Sequence, residues 1–247
     1  MKQLGRIFIL WCLIGGAVSL FAAPRKTINV AVASNFFPLF KKIKKDFERR
    51  FPYELLVSHA STGKLFLQMT KGAPFELFLA ADKDRPQKLE TLGLGLKGKR
   101  ATYAFGKLAL WTPGKTCQSF QGPSLKKLPL IALARPKMSP YGQAAKDVLK
   151  HWGIWNSFYG KIALGQNVTQ TYQYIKTSNA AGGFLSYAQL LDHPKEEVCL
   201  LSPKLYTPLE QQMVLSTKSR AGAKALYFYL KKSSVVRAMI QKGGYSL

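Results

Sequence analysis

The chain has 247 residues, of which 47% are hydrophobic and 12% aromatic, so it has enough apolar material for a packed core and is not a disordered segment. Its length allows one large domain or two lobes of about 100 residues each. Lys and Arg number 37 against 12 Asp and Glu, a net charge of +25. These basic residues are spread along the chain without a nucleic-acid-binding motif, and the export predicted below would separate the chain from nucleic acid, so we expect no nucleic-acid partner.

The N-terminus has the layout of a secretory signal peptide, which we place at residues 1–23. Lys2 and Arg6 form a basic start, residues 7–21 are apolar, and two alanines follow. The apolar stretch is shorter than a membrane span requires. The pattern therefore predicts export, with an uncleaved anchor or a lipid anchor at Cys12 as the alternatives.

The first half of the mature chain alternates short apolar strands with helices. Strands are predicted at residues 27–33, 55–60 and 75–80. Small polar residues follow each strand and favour the start of a helix. The first helix has the clearest pattern, because Phe36, Phe40 and Ile43 recur at spacings of four and three.

The second half repeats this alternation. Strands are predicted at residues 107–111, 128–134, 161–165 and 183–187. One helix is predicted to end at Gly153, and another to carry Val168, Tyr172 and Ile175 on one face. The alternation predicts an α/β fold with largely parallel sheets.

Four strand-to-helix junctions are candidates for a binding site. They lie at Ser34, Thr62, Tyr141 and Val168, two in each half of the chain. In α/β sheets ligands bind beyond the carboxyl ends of strands, and helix N-termini there offer unpaired N–H donors to an anion. Each junction alone is most simply an ordinary helix cap, but together they suit two lobes that face each other across a cleft.

Two cysteines remain in the mature chain, Cys117 and Cys199. Disulfides persist in exported proteins, so we predict that these two residues are bonded, with two separate buried thiols as the alternative. Neither cysteine lies in a CxxC or Cys/His cluster, and the three histidines are scattered. The sequence therefore gives no indication of a zinc site.

Catalytic signatures are also missing from the sequence, which has no G-x-S-x-G or P-loop pattern. Asp46, Glu48 and Glu90 fall among lysines on predicted helices, where we expect them on solvent-facing surfaces. Asp82 closes a strand and is expected to cap the next helix. We therefore expect no catalytic residues, and no enzyme.

An ordered set of segments resembles the periplasmic molybdate-binding proteins over nearly the whole mature chain, although each segment alone is weak. The segments are VAVASNF (Val30 to Phe36), ASTGKLFLQMTKGAP (Ala60 to Pro74), ELFLAAD (Glu76 to Asp82), RPKMSPYGQAA (Arg135 to Ala145), GQNVTQTYQYIKTSNA (Gly165 to Ala180), GFLSYAQ (Gly183 to Gln189) and YTPLEQQMVL (Tyr206 to Leu215).

The resemblance implies a two-lobed periplasmic solute-binding fold with a hinge of crossing strands. Residues 24–107 and 209–247 would form one lobe, and residues 108–208 the other. It also implies a molybdate or tungstate oxyanion in the cleft, with no cofactor and no metal ligated directly by side chains. The protein would act as a monomer and deliver the ligand to the permease of an inner-membrane ABC importer.

The resemblance also implies a set of ligand-binding residues. They are Ser34, Thr62, Tyr141, Val168, Ser186 and Tyr187. Ser34 and Thr62 would donate through hydroxyl and main-chain N–H, and Tyr141 and Val168 through main-chain N–H. Many family members have Tyr at the position of Ser186, whereas here the tyrosine is its neighbour Tyr187, so both are candidates.

Three other functions stay open at this stage. The first is binding of another anion, such as sulfate, phosphate or an organic acid, on the same fold. An organic acid would usually recruit an arginine, and Arg135 is the only arginine near a proposed site. An enzyme on a related scaffold would need a general base near Ser34. A protein that acts at an anionic surface would depend on the +25 charge.

Overall fold

The computed structural model describes residues 26–247. In chain order its elements are β1 (Lys26–Ala33), α1 (Phe37–Arg50), β2 (Tyr53–Ala60), α2 (Thr62–Thr70), β3 (Leu77–Leu79), α3 (Asp84–Thr91), β4 (Gly95–Gly106), β5 (Leu108–Trp111), β6 (Ile131–Ala134), α4 (Pro140–His151), β7 (Ile162–Gly165), α5 (Val168–Lys176), β8 (Gly182–Ser186), β9 (Val198–Leu200), β10 (Leu209–Ser216), α6 (Ala221–Lys232) and α7 (Ser234–Lys242). Short 3-10 helices occur at Cys117–Phe120, Gly122–Lys127, Trp155–Phe158, Tyr187–Gln189, Lys195–Glu197 and Pro203–Leu205. The predicted signal peptide and Cys12 lie outside the described residues.

Two five-stranded sheets form the frame of the molecule, in the orders β2-β1-β3-β10-β4 and β7-β6-β8-β5-β9. In the first sheet β1 runs parallel to β2 and β3, while β10 runs antiparallel to β3 and β4. In the second sheet β6 runs parallel to β7 and β8, while β5 runs antiparallel to β8 and β9. The predicted α/β class is confirmed. The prediction of largely parallel sheets is wrong, because β5 and β10 enter their sheets in the opposite direction.

The chain passes from the first sheet to the second between β4 and β5, where one residue, Lys107, separates the strands. It returns between β9 and β10. The two passages lie side by side, since Leu201 N–H donates to the Leu108 carbonyl at 3.0 Å and Leu108 N–H donates to the Tyr206 hydroxyl at 3.2 Å. The first sheet therefore takes strands from both ends of the chain. The lobe limits given above remain a prediction.

The sequence patterns missed β4, although it is the longest strand in residues 26–247. Its first half contains Gly95, Gly98 and three basic residues, and therefore shows no clear alternation of apolar and polar side chains. The strand is held by β10, a partner more than a hundred residues away, with register shifts at two places. Long-range pairing of this kind leaves little local trace in a sequence.

Helix α1 follows the predicted pattern, since Phe40, Ile43 and Phe47 are buried. Asp46 is a correction, because its side chain is 5% exposed rather than solvated. Arg50 and Arg49 donate to its two carboxylate oxygens at 2.8 and 2.7 Å, and the Tyr229 hydroxyl donates as well. Among residues 26–247, no helix is long and apolar enough to cross a membrane.

The predicted disulfide is confirmed. Cys117 and Cys199 are bonded, with their Cα atoms 5.6 Å apart and a separation of 82 positions in sequence. Both residues are buried. The bond fastens the loop after β5 to strand β9, at the edge of the second sheet.

Candidate functional site

The parallel strands bring the four junction residues together in two pairs. In the first sheet Ala33 is in register with Ala60, so Ser34 and Thr62 follow neighbouring strands at the same sheet edge. In the second sheet Ala134 is in register with Gly165, which aligns the starts of helices α4 and α5 in the same way. The carboxyl ends of parallel strands thus place two helix N-termini side by side in each half.

The two pairs face each other across a cleft between the sheets. Gly63 N–H, at the start of α2, donates to the Met138 carbonyl before α4 at 2.9 Å. Asn35 Nδ2, beside Ser34, lies 3.5 Å from the Tyr141 hydroxyl. The structure therefore brings the junctions of both sheets to one place.

Several main-chain N–H groups at these junctions have no acceptor within residues 26–247. They belong to Asn35, Thr62, Tyr141 and Val168. The helix caps explain two of them: Ser139 Oγ accepts from the N–H two residues past Pro140, and Asn167 Oδ1 accepts from Gln170 N–H. The first cap thus leaves the preceding N–H, that of Tyr141, without an acceptor, and the second leaves that of Val168, two residues before Gln170, without one.

The prediction for the main chain of Ser34 needs a correction. Ser34 N–H donates to the Ala60 carbonyl at 2.9 Å and so continues the pairing of β1 with β2. The next N–H, that of Asn35, is the free one. Asn35 is one of the small polar residues after β1 that favour the start of a helix, but no side chain caps helix α1.

Two hydroxyls complete the set of donors. Ser34 Oγ makes no hydrogen bond to any group in residues 26–247 although the residue is 3% exposed. Thr62 Oγ1 accepts from Ala81 N–H at 3.1 Å. Since that bond uses a lone pair, the Thr62 proton stays available for an acceptor in the cleft.

The Tyr141 side chain belongs to a buried polar network. Its hydroxyl accepts from Ser186 Oγ at 3.0 Å and from Gln211 Nε2 at 3.1 Å. Burial raises the pKa of Tyr141 well above its ordinary value, so the hydroxyl stays neutral. The network joins the second sheet, which holds Ser186, to strand β10 of the first.

On the side of the first sheet the network continues through Asn35. Its Nδ2 donates to Gln211 Oε1 at 3.0 Å, and Tyr103 donates to the same oxygen at 3.0 Å. The Tyr245 hydroxyl donates to the Asn35 carbonyl at 2.8 Å. Burial raises the pKa of both tyrosines, which keeps the network uncharged. Sequence reasoning missed Gln211, Tyr103 and Tyr245, because their spacing from the junctions is long and irregular.

Gly106 makes room for this network where the chain leaves the first sheet. A Cβ at this position would lie 2.3 Å from the Tyr141 hydroxyl and 2.6 Å from Gln211 Nε2. Any side chain there would displace one of those groups. The absence of a side chain at Gly106 is therefore needed for the close approach of Tyr141.

Ser186 and Tyr187 lie in different surroundings. Ser186 is fully buried and reaches Tyr141, as described above. Tyr187 donates its N–H to the Lys107 carbonyl at 2.9 Å, and its ring lies next to Gly244. The structure thus connects Ser186, rather than Tyr187, to the groups around the cleft.

Asp82 lies close behind the Thr62 junction. One oxygen of its carboxylate accepts from Arg85 N–H at 3.1 Å, in agreement with the predicted capping role, and the other pairs with the Arg85 guanidinium. Burial raises the pKa of Asp82, against the effect of Arg85. Within residues 26–247 no group of three or more His, Cys, Asp or Glu side chains is arranged to hold a metal ion.

Comparisons with known proteins agree with this architecture. The family model for the bacterial extracellular solute-binding proteins matches residues 28–246. The chain is 36% identical to the molybdate-binding protein of Azotobacter vinelandii over 241 residues, 95% of each chain. It is 34% identical to the molybdate-binding protein of Rhodobacter capsulatus, over 88% of this chain and 87% of the relative. The solved Azotobacter vinelandii periplasmic molybdate-binding protein has a similar fold, with a TM-score of 0.81, 27% identity, and 89% and 99% of the two chains covered.

Proposed function

The chain belongs to the bacterial extracellular solute-binding proteins, and on that premise we propose that it captures molybdate, or tungstate, in the cleft between its two sheets. The observation that carries this proposal is the set of neutral donors at the four junctions. It comprises the main-chain N–H groups of Asn35, Thr62, Tyr141 and Val168 and the hydroxyls of Ser34 and Thr62. The relatives named above as molybdate-binding proteins support the choice of ligand.

The chemistry of the donors suits a tetrahedral dianion. Molybdate offers acceptors alone, and each hydrogen bond to a charged acceptor contributes about 1.5–3 kcal/mol net. The partial positive charge at the N-termini of α2, α4 and α5 adds to this attraction without a charged side chain. Phosphate is disfavoured because it carries a proton that donor groups leave unmatched. Sulfate is also a tetrahedral acceptor but is smaller than molybdate, so a closed cleft that fits molybdate binds sulfate less tightly.

The proposal includes where the protein acts and how it delivers the ligand. The signal peptide at residues 1–23 directs the chain to the periplasm, where it acts as a monomer and presents the anion to the permease of an ABC importer. Residues 24–107 with 209–247 form one lobe and residues 108–208 the other, and the passages at Lys107 and residues 201–208 form the hinge. The relatives are binding proteins, which supports a role in capture rather than catalysis.

Thermal unfolding of the purified mature protein tests the ligand. Molybdate, tungstate, sulfate and phosphate are added in turn, and each unfolding midpoint is compared with that of the protein alone. A ligand that binds the folded state at a hundredfold excess over Kd stabilises it by about 2.7 kcal/mol. We expect a rise with molybdate and tungstate and no rise with sulfate or phosphate. If none of the four anions raises the unfolding midpoint above that of the protein alone, the oxyanion assignment is wrong, although the fold assignment stands.

A further inference from the structure

We infer that Arg85 and Gly63 form a latch that holds the cleft closed by binding two consecutive carbonyls of the opposite lobe, those of Lys137 and Met138. This inference rests on the proposed function, because it concerns how long the ligand stays bound. It makes Arg85 and Gly63 positioning residues that act on the ligand through the structure around them.

The first half of the latch is the Arg85 side chain, in the first turn of α3. Its Nη2 donates across the cleft to the Lys137 carbonyl at 2.9 Å. Its Nη1 pairs with the Asp82 carboxylate on its own side. The planar guanidinium thus joins the two lobes, with one edge fixed by an ion pair and the other on the opposite main chain.

The second half is Gly63, in the first turn of α2, whose N–H donates to the Met138 carbonyl at 2.9 Å. A Cβ at Gly63 would lie 2.9 Å from that oxygen, 3.0 Å from Met138 Cα and 3.3 Å from Arg85 Nη2. Two of these contacts are with the opposite main chain, which cannot swing aside as a side chain can. A side chain at this position would therefore push the lobes apart.

The latch is connected to the proposed ligand donors on both sides of the cleft. On one side Ala81 N–H, next to Asp82, donates to Thr62 Oγ1 at 3.1 Å. On the other side the two bound carbonyls lie in a turn closed by hydrogen bonds from Met138 and Ser139 N–H to the Arg135 carbonyl. This turn ends at Ser139, two residues before Tyr141. Holding this turn in place fixes the N–H of Tyr141 toward the ligand.

The charges explain why Arg85 is better suited to this role than to binding the anion. Its positive charge is balanced by Asp82, and the pair is largely buried, with side-chain exposures of 23% and 16%. An arginine that bound the ligand directly would direct its guanidinium N–H groups toward the anion. Here the guanidinium N–H groups donate to the Asp82 carboxylate and to the Lys137 carbonyl.

The test compares the release of radiolabelled molybdate from wild type, Arg85→Ala, Gly63→Ala and a control, Arg100→Ala. Arg100 is a matched control, because it is also an ion-paired, largely buried arginine, but it bonds to Glu90 and Gln212 within its own lobe. We expect Arg85→Ala and Gly63→Ala to release molybdate about tenfold to a hundredfold faster, with little change in the association rate. Arg100→Ala should release it at the wild-type rate.

The outcomes separate the latch from the proposed function. If wild type and Arg85→Ala bind molybdate and release it equally fast, the latch is overturned and the proposed function stands. If wild type binds none of the four anions, the proposed function falls, and X-ray scattering of the ligand-free proteins decides the latch. Equal radii of gyration for wild type, Arg85→Ala and Gly63→Ala would then overturn it, and larger radii for the two variants would support it.

Discussion

Tyr141→Phe distinguishes the role of the Tyr141 hydroxyl in the buried network from the proposed role of its main-chain N–H in binding the ligand. The substitution removes the hydroxyl and keeps the ring and the main-chain N–H. In the folded protein the hydroxyl accepts from Ser186 at 3.0 Å and from Gln211 at 3.1 Å, whereas the approach of Asn35 at 3.5 Å is at the limit of a hydrogen bond. The substitution therefore removes the acceptor of two close donors, Ser186 Oγ and Gln211 Nε2.

The expected cost follows from these two bonds. A buried neutral donor that loses its partner costs about 1–3 kcal/mol, and the Ser186 hydroxyl can rotate to lower its share. We expect the free energy of unfolding to fall by about 2–4 kcal/mol, and the unfolding midpoint by roughly 5–12 °C for a chain of this size. The affinity for molybdate should change by less than about threefold, since the proposed ligand contact is the main-chain N–H, which the substitution retains.

The assay pairs urea unfolding without ligand with calorimetric titration of molybdate. Tyr159→Phe is the control, because this side chain is 96% exposed, and its substitution should change neither quantity. Since the pKa of Tyr141 is raised well above its ordinary value, the difference in stability should be the same at pH 6 and pH 8. A tenfold loss of affinity with unchanged stability would show that the hydroxyl contacts the ligand, and would refute the assignment to the network.

Four further predictions concern other parts of the molecule. Ser34→Ala should weaken molybdate binding by about one to two orders of magnitude in a calorimetric titration, and an unchanged affinity would remove its hydroxyl from the site. Loss of the bond between Cys117 and Cys199 in the double alanine variant should lower the free energy of unfolding by about 2–4 kcal/mol in urea, because the bond closes a loop of 82 residues; unchanged stability would contradict this. Hydrogen bonds from Arg50 and then Tyr229 lower the pKa of Asp46, so its ionised form stabilises the fold above about pH 4, and that contribution is lost as the pH falls further. Asp46→Asn should therefore have a lower free energy of unfolding than wild type at pH 7, and the difference should narrow toward pH 3. A difference that is the same at both pH values would count against the ion pair. If the +25 charge steers the anion, stopped-flow association of molybdate should slow several-fold as salt is raised, whereas a salt-independent rate would rule out steering.

The sequence determined the parts of the fold that depend on neighbouring residues. Apolar residues at spacings of three and four identified the buried face of α1, and an apolar run closed by Ser34 identified β1 and its junction. Export, read from residues 1–23, made a bond between the remaining two cysteines the favoured prediction, and the structure contains it. These are local signals, because helix and strand periodicities repeat within a few residues.

Sequence reasoning failed where the partners of a group lie far along the chain. It placed Asp46 in solvent, because Tyr229, which helps to bury it, is 183 residues away. The main-chain N–H of Ser34 was predicted to be free for the ligand, because its acceptor, the Ala60 carbonyl, belongs to the next strand. Sequence reasoning also left β4 unassigned, because that strand depends on β10 for its pairing.

The sequence by itself thus determined an α/β chain with four helix N-termini at strand ends, each of which is also an ordinary cap. Tertiary structure decided that Asn35 rather than Ser34 offers the free N–H, that the Tyr141 hydroxyl belongs to a network with Ser186 and Gln211, and that Arg85 reaches the main chain just before α4. The physical reason is that a hydrogen bond depends on the distance and direction between two groups in space. The partners in this cleft are 45 to 70 residues apart around Tyr141 and 52 residues apart at Arg85, so the folded sheets bring them together and no local pattern encodes their contact.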